Sequence, residues 1–140
     1  MTVTPEEISK EFSSVGVRER LEFLLEYSEN LPELPERYQN HPELFEKVEE
    51  CQSPVYLFVE VNQGQVGLYI TAPEEAPTTR GFAGILREII HGTSVEKALS
   101  VDEDFVNSLG LAQAVSPLRM RGMRAMLFRI KRQVREKSEQ

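Results

Sequence analysis

The sequence predicts an α+β fold, a small antiparallel sheet flanked by helices, and three observations carry that expectation. Two short runs near the middle alternate apolar with polar or mixed residues. A tight turn joins them, and apolar residues at helical spacing occupy the chain on either side. Helices before and after one hairpin, without the repeated βα alternation of a parallel sheet, read as α+β. At 140 residues and 40% apolar content the chain is expected to form one domain, residues 1–140, around a single core. No linker-like stretch divides it, and the eight prolines and eight glycines are scattered as turn punctuation.

The elements follow in order. Thr4-Pro5-Glu6-Glu7 is a capping box with Pro at the first helical position, opening a helix that ends near Ser13. A second helix is predicted from Val17 to Ser28, with Leu21, Leu24, Leu25 and Ser28 on one face. Leu31-Pro32-Glu33-Leu34-Pro35 forbids its continuation, since each Pro removes a donor and restricts its predecessor. Residues 30–53 read as mostly irregular; Leu44, Phe45 and Val48 fit either a helical turn or an extended anchor. Val55, Leu57, Val59 and Val61 alternate along one strand and Val66, Leu68, Ile70 and Ala72 along the next, with Asn62-Gln63-Gly64 as the turn. No third strand stands out. A helix from Pro77 to Ile90 should stop at Gly92 in a left-handed cap, and shorter helices should start at Ser94 and Asp102. A long last helix begins at Ser116-Pro117. Its Met123, Met126, Leu127, Ile130 and Val134 are spaced for one buried stripe, which reads as core packing.

Composition narrows the function classes. The start of the sequence has neither the basic nor the apolar segment of a secretory signal, and the apolar run from Val55 to Val61 is too short to span a bilayer. A cytoplasmic protein, with no membrane partner, is expected. A single cysteine cannot form an internal disulfide, which fits a reducing compartment. The net charge of −7 is unevenly spread. Residues 116–140 carry eight basic and two acidic side chains, a net of +6, and the preceding 115 residues carry a net of −13. The basic tail reads as a solvated helix face and not as a nucleic-acid surface, because the acidic body repels phosphates and no aromatics interleave with the arginines.

Chemistry has few carriers. His41 and His91 lie in no motif with the cysteine, so a Cys–His hydrolase has little beyond geometric feasibility, and His91 suits a role at its helix end. No metal is expected: there is no second Cys, no His pair at i, i+4 and no Asp-rich loop. No Gly-rich loop leads from a strand into a helix, so nucleotide binding is unsupported. What stands out is Cys51, in a polar setting of Glu49, Glu50, Gln52 and Ser53 just before the first strand. From those neighbours alone it is as readily a small buried residue as a nucleophile.

Four segments carry a family resemblance. Glu50-Cys51-Gln52-Ser53-Pro54-Val55-Tyr56 resembles the Gly-Cys-Gln-Ser-Gln-Val-Trp segment of the SufE family, whose cysteine accepts sulfur from a cysteine desulfurase. Leu31-Pro32-Glu33-Leu34-Pro35 resembles the segment that family carries upstream. Thr79-Arg80-Gly81-Phe82 resembles its Val-Arg-Gly-Leu helix start, and Ser116-Pro117-Leu118-Arg119-Met120-Arg121-Gly122, with Met126 beyond, resembles its Leu-Ser-Pro-Ser-Arg-Ser-x-Gly signature. Order and spacing agree over roughly residues 17–133. The departures are Glu50 for Gly, Pro54 and Tyr56 for Gln and Trp, and Glu74-Glu75-Ala76 in place of Ser-Asp-Ala.

The resemblance implies a fold similar to SufE and to the IscU-type scaffold proteins, and a sulfurtransferase-type carrier that works only with a partner. The partner implied is a SufS-type desulfurase, which brings its own pyridoxal phosphate; this chain then needs no cofactor. Cys51 is the implied sulfur carrier, with Gln52, Ser53, Glu75, Arg80 and Arg119 at the partner interface or around the thiol. Without a second cysteine the persulfide must pass to another molecule, a downstream iron–sulfur scaffold, and the chain cannot itself hold a cluster. The alternative is a regulatory adaptor that binds a desulfurase without carrying sulfur. Glu46, Glu49 and Glu50 disfavour a thiolate, so the free protein is expected to hold Cys51 as a poorly ionised, sheltered thiol that docking activates. Arg80 and Arg119 would offset that charge or meet the partner; helix-end capping and surface pairing are their structural alternatives.

Overall fold

A computed structural model describes residues 3–139. Among the described residues five α-helices and a three-stranded antiparallel sheet make up the predicted α+β architecture. Helix α1 (Pro5–Ser13) opens with the expected capping box: Thr4 Oγ1 accepts the Glu7 N–H at 3.1 Å and Glu7 Oε1 accepts the Thr4 N–H at 3.0 Å. It buries Ile8 and Phe12.

Helix α2 (Val17–Glu29) packs on helix α3 (Pro77–Ile90) at a distance only glycine permits. A methyl group on Gly81 would lie 2.3 Å from the Leu24 carbonyl oxygen, and one on Gly84 would lie 2.5 Å from that of Tyr27. The contact line therefore runs through Leu24, Tyr27 and Ser28. Leu25, expected on the buried face, is exposed, because it sits one residue round from that line.

The chain from Leu31 to Phe45 is irregular, as its prolines require, apart from 3₁₀ turns at Glu36–Tyr38 and Pro42–Leu44. Both readings of the Leu44–Val48 stretch hold in part, since a helical turn ends at Leu44 and extended chain follows. The third strand is β1 (Glu46–Lys47), paired with β2 (Tyr56–Asn62) through Glu46 opposite Leu57 and Lys47 opposite Tyr56. Two residues are too few for any periodicity to show. Strand β3 (Gln65–Thr71) pairs with β2 from Tyr56–Thr71 to Asn62–Gln65. The turn has positive φ at Gln63 (54°) and Gly64 (78°), the arrangement that matches strand twist.

Val55, Leu57, Val59, Val66, Leu68 and Ile70 face the core. The other sheet face is covered too: Tyr38, Phe45, Phe58 and Tyr69 form a ring cluster there, with centroids 4.9–6.3 Å apart. Glu60 accepts hydrogen bonds from the Tyr38 and Tyr69 hydroxyls inside it.

After α3 the chain reverses at Gly92 (φ 82°). His91 does not bond its own helix's carbonyls through its ring as expected. Its backbone has already turned extended, and its Nδ1 accepts the Leu68 N–H of β3 at 3.0 Å. Burial and the nearby Arg87 charge lower its pKa, and that hydrogen bond needs an unprotonated Nδ1. Ser94 caps α4 (Val95–Ser100). The expected helix at Asp102 is instead a 3₁₀ segment, Phe105–Leu109: Asp102 Oδ1 accepts the Asp104 N–H at 2.7 Å, and that local turn delays helical geometry.

Helix α5 (Pro117–Ser138) buries Met120, Met123, Met126, Leu127, Ile130 and Val134 against the sheet and α4. Its last turns also finish the sheet. The Val59 N–H and carbonyl point to the β1 side of β2, where β1 has already ended. Gln133 Oε1 accepts that N–H at 2.9 Å and Lys137 Nζ donates to that carbonyl. Two helix side chains take the place of a missing strand residue.

Candidate functional site

Cys51 lies in the turn between β1 and β2. Val48, fully buried, anchors the turn; its N–H donates to the Val55 carbonyl at 2.9 Å, and its carbonyl accepts the Cys51 N–H at 3.1 Å. The Cys51 side chain is half-buried and packs against the hydrophobic core. Its Sγ faces Gly122 on α5 so closely that a methyl group there would lie 2.8 Å from the sulfur. A helical glycine thus provides the recess the thiol occupies.

Charges surround this recess unevenly. Burial first, and the Glu50 carboxylate second, push the Cys51 thiol up to about 11, against weaker opposition from Arg129 and Arg119. The thiol is neutral near pH 7, as the glutamate-rich sequence predicts, although burial outweighs the carboxylates.

The predicted site residues separate into three groups. The Arg119 charge acts on Cys51, more weakly than that of Arg129, and its Nη1 donates to Thr79 Oγ1 at 3.3 Å. Arg80 is engaged elsewhere. Its Nε donates to the Ser28 carbonyl at 3.0 Å and its Nη1 to the Ala72 carbonyl at 2.6 Å, tying the end of α2 to the end of β3. The helix-end role named as its structural alternative is the one these bonds describe. Gln52 and Glu75 are exposed and Ser53 is half-buried, and none of their side chains makes a hydrogen bond among the described residues.

Sequence reasoning passed over two residues. One is Gly122, which closes the Ser116–Gly122 segment of the resemblance but was given no role beside the thiol. The other is Arg129, for which no local signal exists. Its Nη2 lies 2.9 Å from Glu50 Oε1, and its Nη1 pairs with Glu46. Arg132 and Gln133 also bond Glu46. Burial would raise the Glu46 carboxyl, but its hydrogen bonds from Arg132, Arg129 and Gln133 outweigh that and hold it below the usual carboxylate range.

Neither histidine bonds to Cys51: His91 is committed to Leu68, and His41 pairs with Glu43 at 3.0 Å. Among the described residues no three His, Cys, Asp or Glu side chains converge as metal ligands, and no helix is long and apolar enough to cross a membrane. An apolar cavity of about 280 Å³, lined by Leu34, Tyr38, Phe45 and Tyr56 among others, opens beside the ring cluster and does not include Cys51. The arrangement can supply one thiol, sheltered and un-ionised, on a short turn, without a base of its own.

Known proteins resemble this chain over nearly its whole length. Residues 6–134 match the family described as "SufE: Fe-S metabolism associated domain". The chain is similar to an uncharacterized SufE-like protein of Mycobacterium tuberculosis, 46% identical over 131 residues, which span 93% of this chain and 90% of that one. It is similar also to "SufE-like protein 1, chloroplastic/mitochondrial" of Arabidopsis thaliana, 32% identical over 87% of this chain and 32% of that longer protein. Among solved structures, the solution structure of a hypothetical protein from Thermus thermophilus superposes with a TM-score of 0.84 at 37% identity, over 97% of this chain and 96% of that one.

Proposed function

The chain belongs to the SufE family of iron–sulfur metabolism proteins, and on that premise we propose that Cys51 accepts sulfur from the persulfide of a cysteine desulfurase. In the step proposed, the Cys51 thiolate attacks the outer sulfur of the donor's persulfide. A new sulfur–sulfur bond forms on Cys51, the donor's own sulfur–sulfur bond breaks, and its electron pair leaves on the donor cysteine as a thiolate. One persulfide and one thiol become another persulfide and another thiol, so no external oxidant or reductant enters.

The observation that carries this reading is the setting of the lone thiol, on a short turn against Gly122 and within reach of the Arg119 and Arg129 charges. Thiolate attack depends on the ionised fraction and on access. Both are low in the free protein, since at pH 7 roughly 10⁻⁴ of a thiol with a pKa of about 11 is ionised. The chain therefore acts with its partner, a SufS-type desulfurase that supplies pyridoxal phosphate chemistry, and hands sulfur to an iron–sulfur scaffold in the cytoplasm. Arg129 and, less strongly, Arg119 are the charges of this chain that favour the thiolate. Gln52, Ser53 and Glu75, whose side chains make no hydrogen bond among the described residues, are available to the partner.

The same low ionisation favours a second reading, an adaptor that binds a desulfurase without taking sulfur. One experiment separates the two. Incubation with a desulfurase and cysteine, read by intact mass, should add about 32 Da per sulfur to wild type and nothing to Cys51→Ser. Equal stimulation of the desulfurase by Cys51→Ser would defeat the carrier reading.

A further inference from the structure

Glu50 stands immediately before Cys51, and its carboxylate is held by Arg129 Nε at 3.0 Å and Nη2 at 2.9 Å. The same guanidinium pairs through Nη1 with Glu46. Glu46 is the fixed end of this bridge: it belongs to β1, opposite Leu57, and is gripped in addition by Arg132 and Gln133. Glu50 is the movable end, because the turn beyond Val48 has one backbone bond of its own, from the Cys51 N–H. Arg129 therefore joins an anchored strand to the residue beside the thiol, from the same helix that carries Gly122.

We propose that Arg129 is a positioning residue for sulfur transfer, an ion-pair latch that keeps the turn closed with Cys51 seated against Gly122. The proposal rests on the carrier reading for its purpose, but the latch itself is a property of the free chain. Opening the turn separates Glu50 from Arg129 while leaving Arg129 on Glu46, so the latch releases without freeing an unpaired guanidinium. The side chains of Arg129, Glu46 and Glu50 are 21%, 23% and 30% exposed, partly shielded from salt but within reach of a docking surface. A partner that engages either carboxylate or guanidinium unlatches the thiol.

Electrostatics alone and the latch predict opposite signs for one substitution, which makes the test decisive. The Arg129 charge favours the Cys51 thiolate. If charge were its whole effect, Arg129→Gln would leave Glu50 uncompensated and slow the reaction of Cys51 with an aromatic disulfide reagent. A latch requires that the same variant react faster, by about fivefold, the factor corresponding to roughly 1 kcal/mol of a partly exposed ion pair. Arg129→Lys, which keeps the charge but lacks the two-sided fork, should fall between the two. Arg135→Gln, an exposed change of equal charge on the same helix, should match wild type. Near-identical unfolding curves for Arg129→Lys and wild type exclude global opening as the cause. Slower or unchanged modification of Arg129→Gln overturns the latch. Sulfur loading by a desulfurase and cysteine, read in parallel on wild type, reports the carrier function separately: loading with slowed Arg129→Gln modification sinks the latch alone, and accelerated modification without loading supports the latch while the carrier reading fails.

Discussion

At Cys51 burial and a neighbouring carboxylate act in the same direction, and two arginines only partly oppose them. A thiol so placed should show its ionisation directly. The rate of alkylation by iodoacetamide, followed against pH, should keep rising past about pH 9 and inflect at about 11. An inflection at or below about 8 would mean that the arginines dominate. Gly122 sets the second property of the residue, its seat. In Gly122→Ala the new methyl would lie 2.8 Å from Sγ and 3.4 Å from the Cys51 Cα, so the turn must give way. Alanine gains about 1 kcal/mol in a helix interior, and overpacking costs about 1–3 kcal/mol. The two partly offset, leaving a net loss of about 0–2 kcal/mol. Stability in thermal unfolding should fall by no more than that while alkylation of Cys51 accelerates several-fold; unchanged alkylation would show that the thiol is not seated there.

Arg80 shows how elements are fastened away from the thiol. It donates to the carbonyls that end α2 and β3, so Arg80→Met leaves two partly buried acceptors short of a donor. A loss of about 1–3 kcal/mol in denaturant unfolding is expected, with Cys51 reactivity unchanged. A changed thiol rate at full stability would instead place Arg80 with the thiol group. At this scale the regular elements were legible in advance: the capping box at Thr4, the alternation of β2 and β3, and the methionine stripe of α5 are local patterns with one physical reading each. Strand β1 was not, because two residues have no period and their pairing is decided by β2. Leu25 and the Asp102 segment were misjudged for similar reasons. One depended on where α3's glycines touch α2, the other on a side-chain turn outcompeting a helical start. In the site, Cys51 and Arg119 were legible through resemblance, whereas Arg129 is 79 residues beyond Glu50 and only the packing of α5 brings the two together.

Over the whole molecule the basic last helix proves to be largely an internal partner of the acidic body. Arg129, Arg132, Lys131 and Lys137 turn inward to Glu46, Glu50, the Val101 carbonyl and the Val59 carbonyl, and Arg121, Arg124 and Arg135 remain exposed. Global stability should also register the thiol. Below pH 9.0 folded and unfolded chains both keep the Cys51 proton; above it the unfolded chain releases the proton first, so the contribution is lost as pH rises through about 11. Tyrosines titrate in the same range, and Tyr27 is pushed up to about 12 by burial. The test is therefore a difference. Between about pH 9 and 11 wild type should lose more stability than Cys51→Ala, and parallel pH curves would show that the thiol's environment does not couple to folding.

The side chains that complete the edge of β2 come from the helix made after everything it covers. On the ribosome the β2–β3 hairpin emerges long before Gln133. Through that interval the Val59 amide and carbonyl have no partner in the fold, and the inner sheet face lacks the methionine stripe that will cover it. The nascent chain carries an open strand edge beside an uncovered apolar face, and arrival of the last helix closes both at once. The hairpin is thus most open to association with other chains in the interval before α5 is available to cover it.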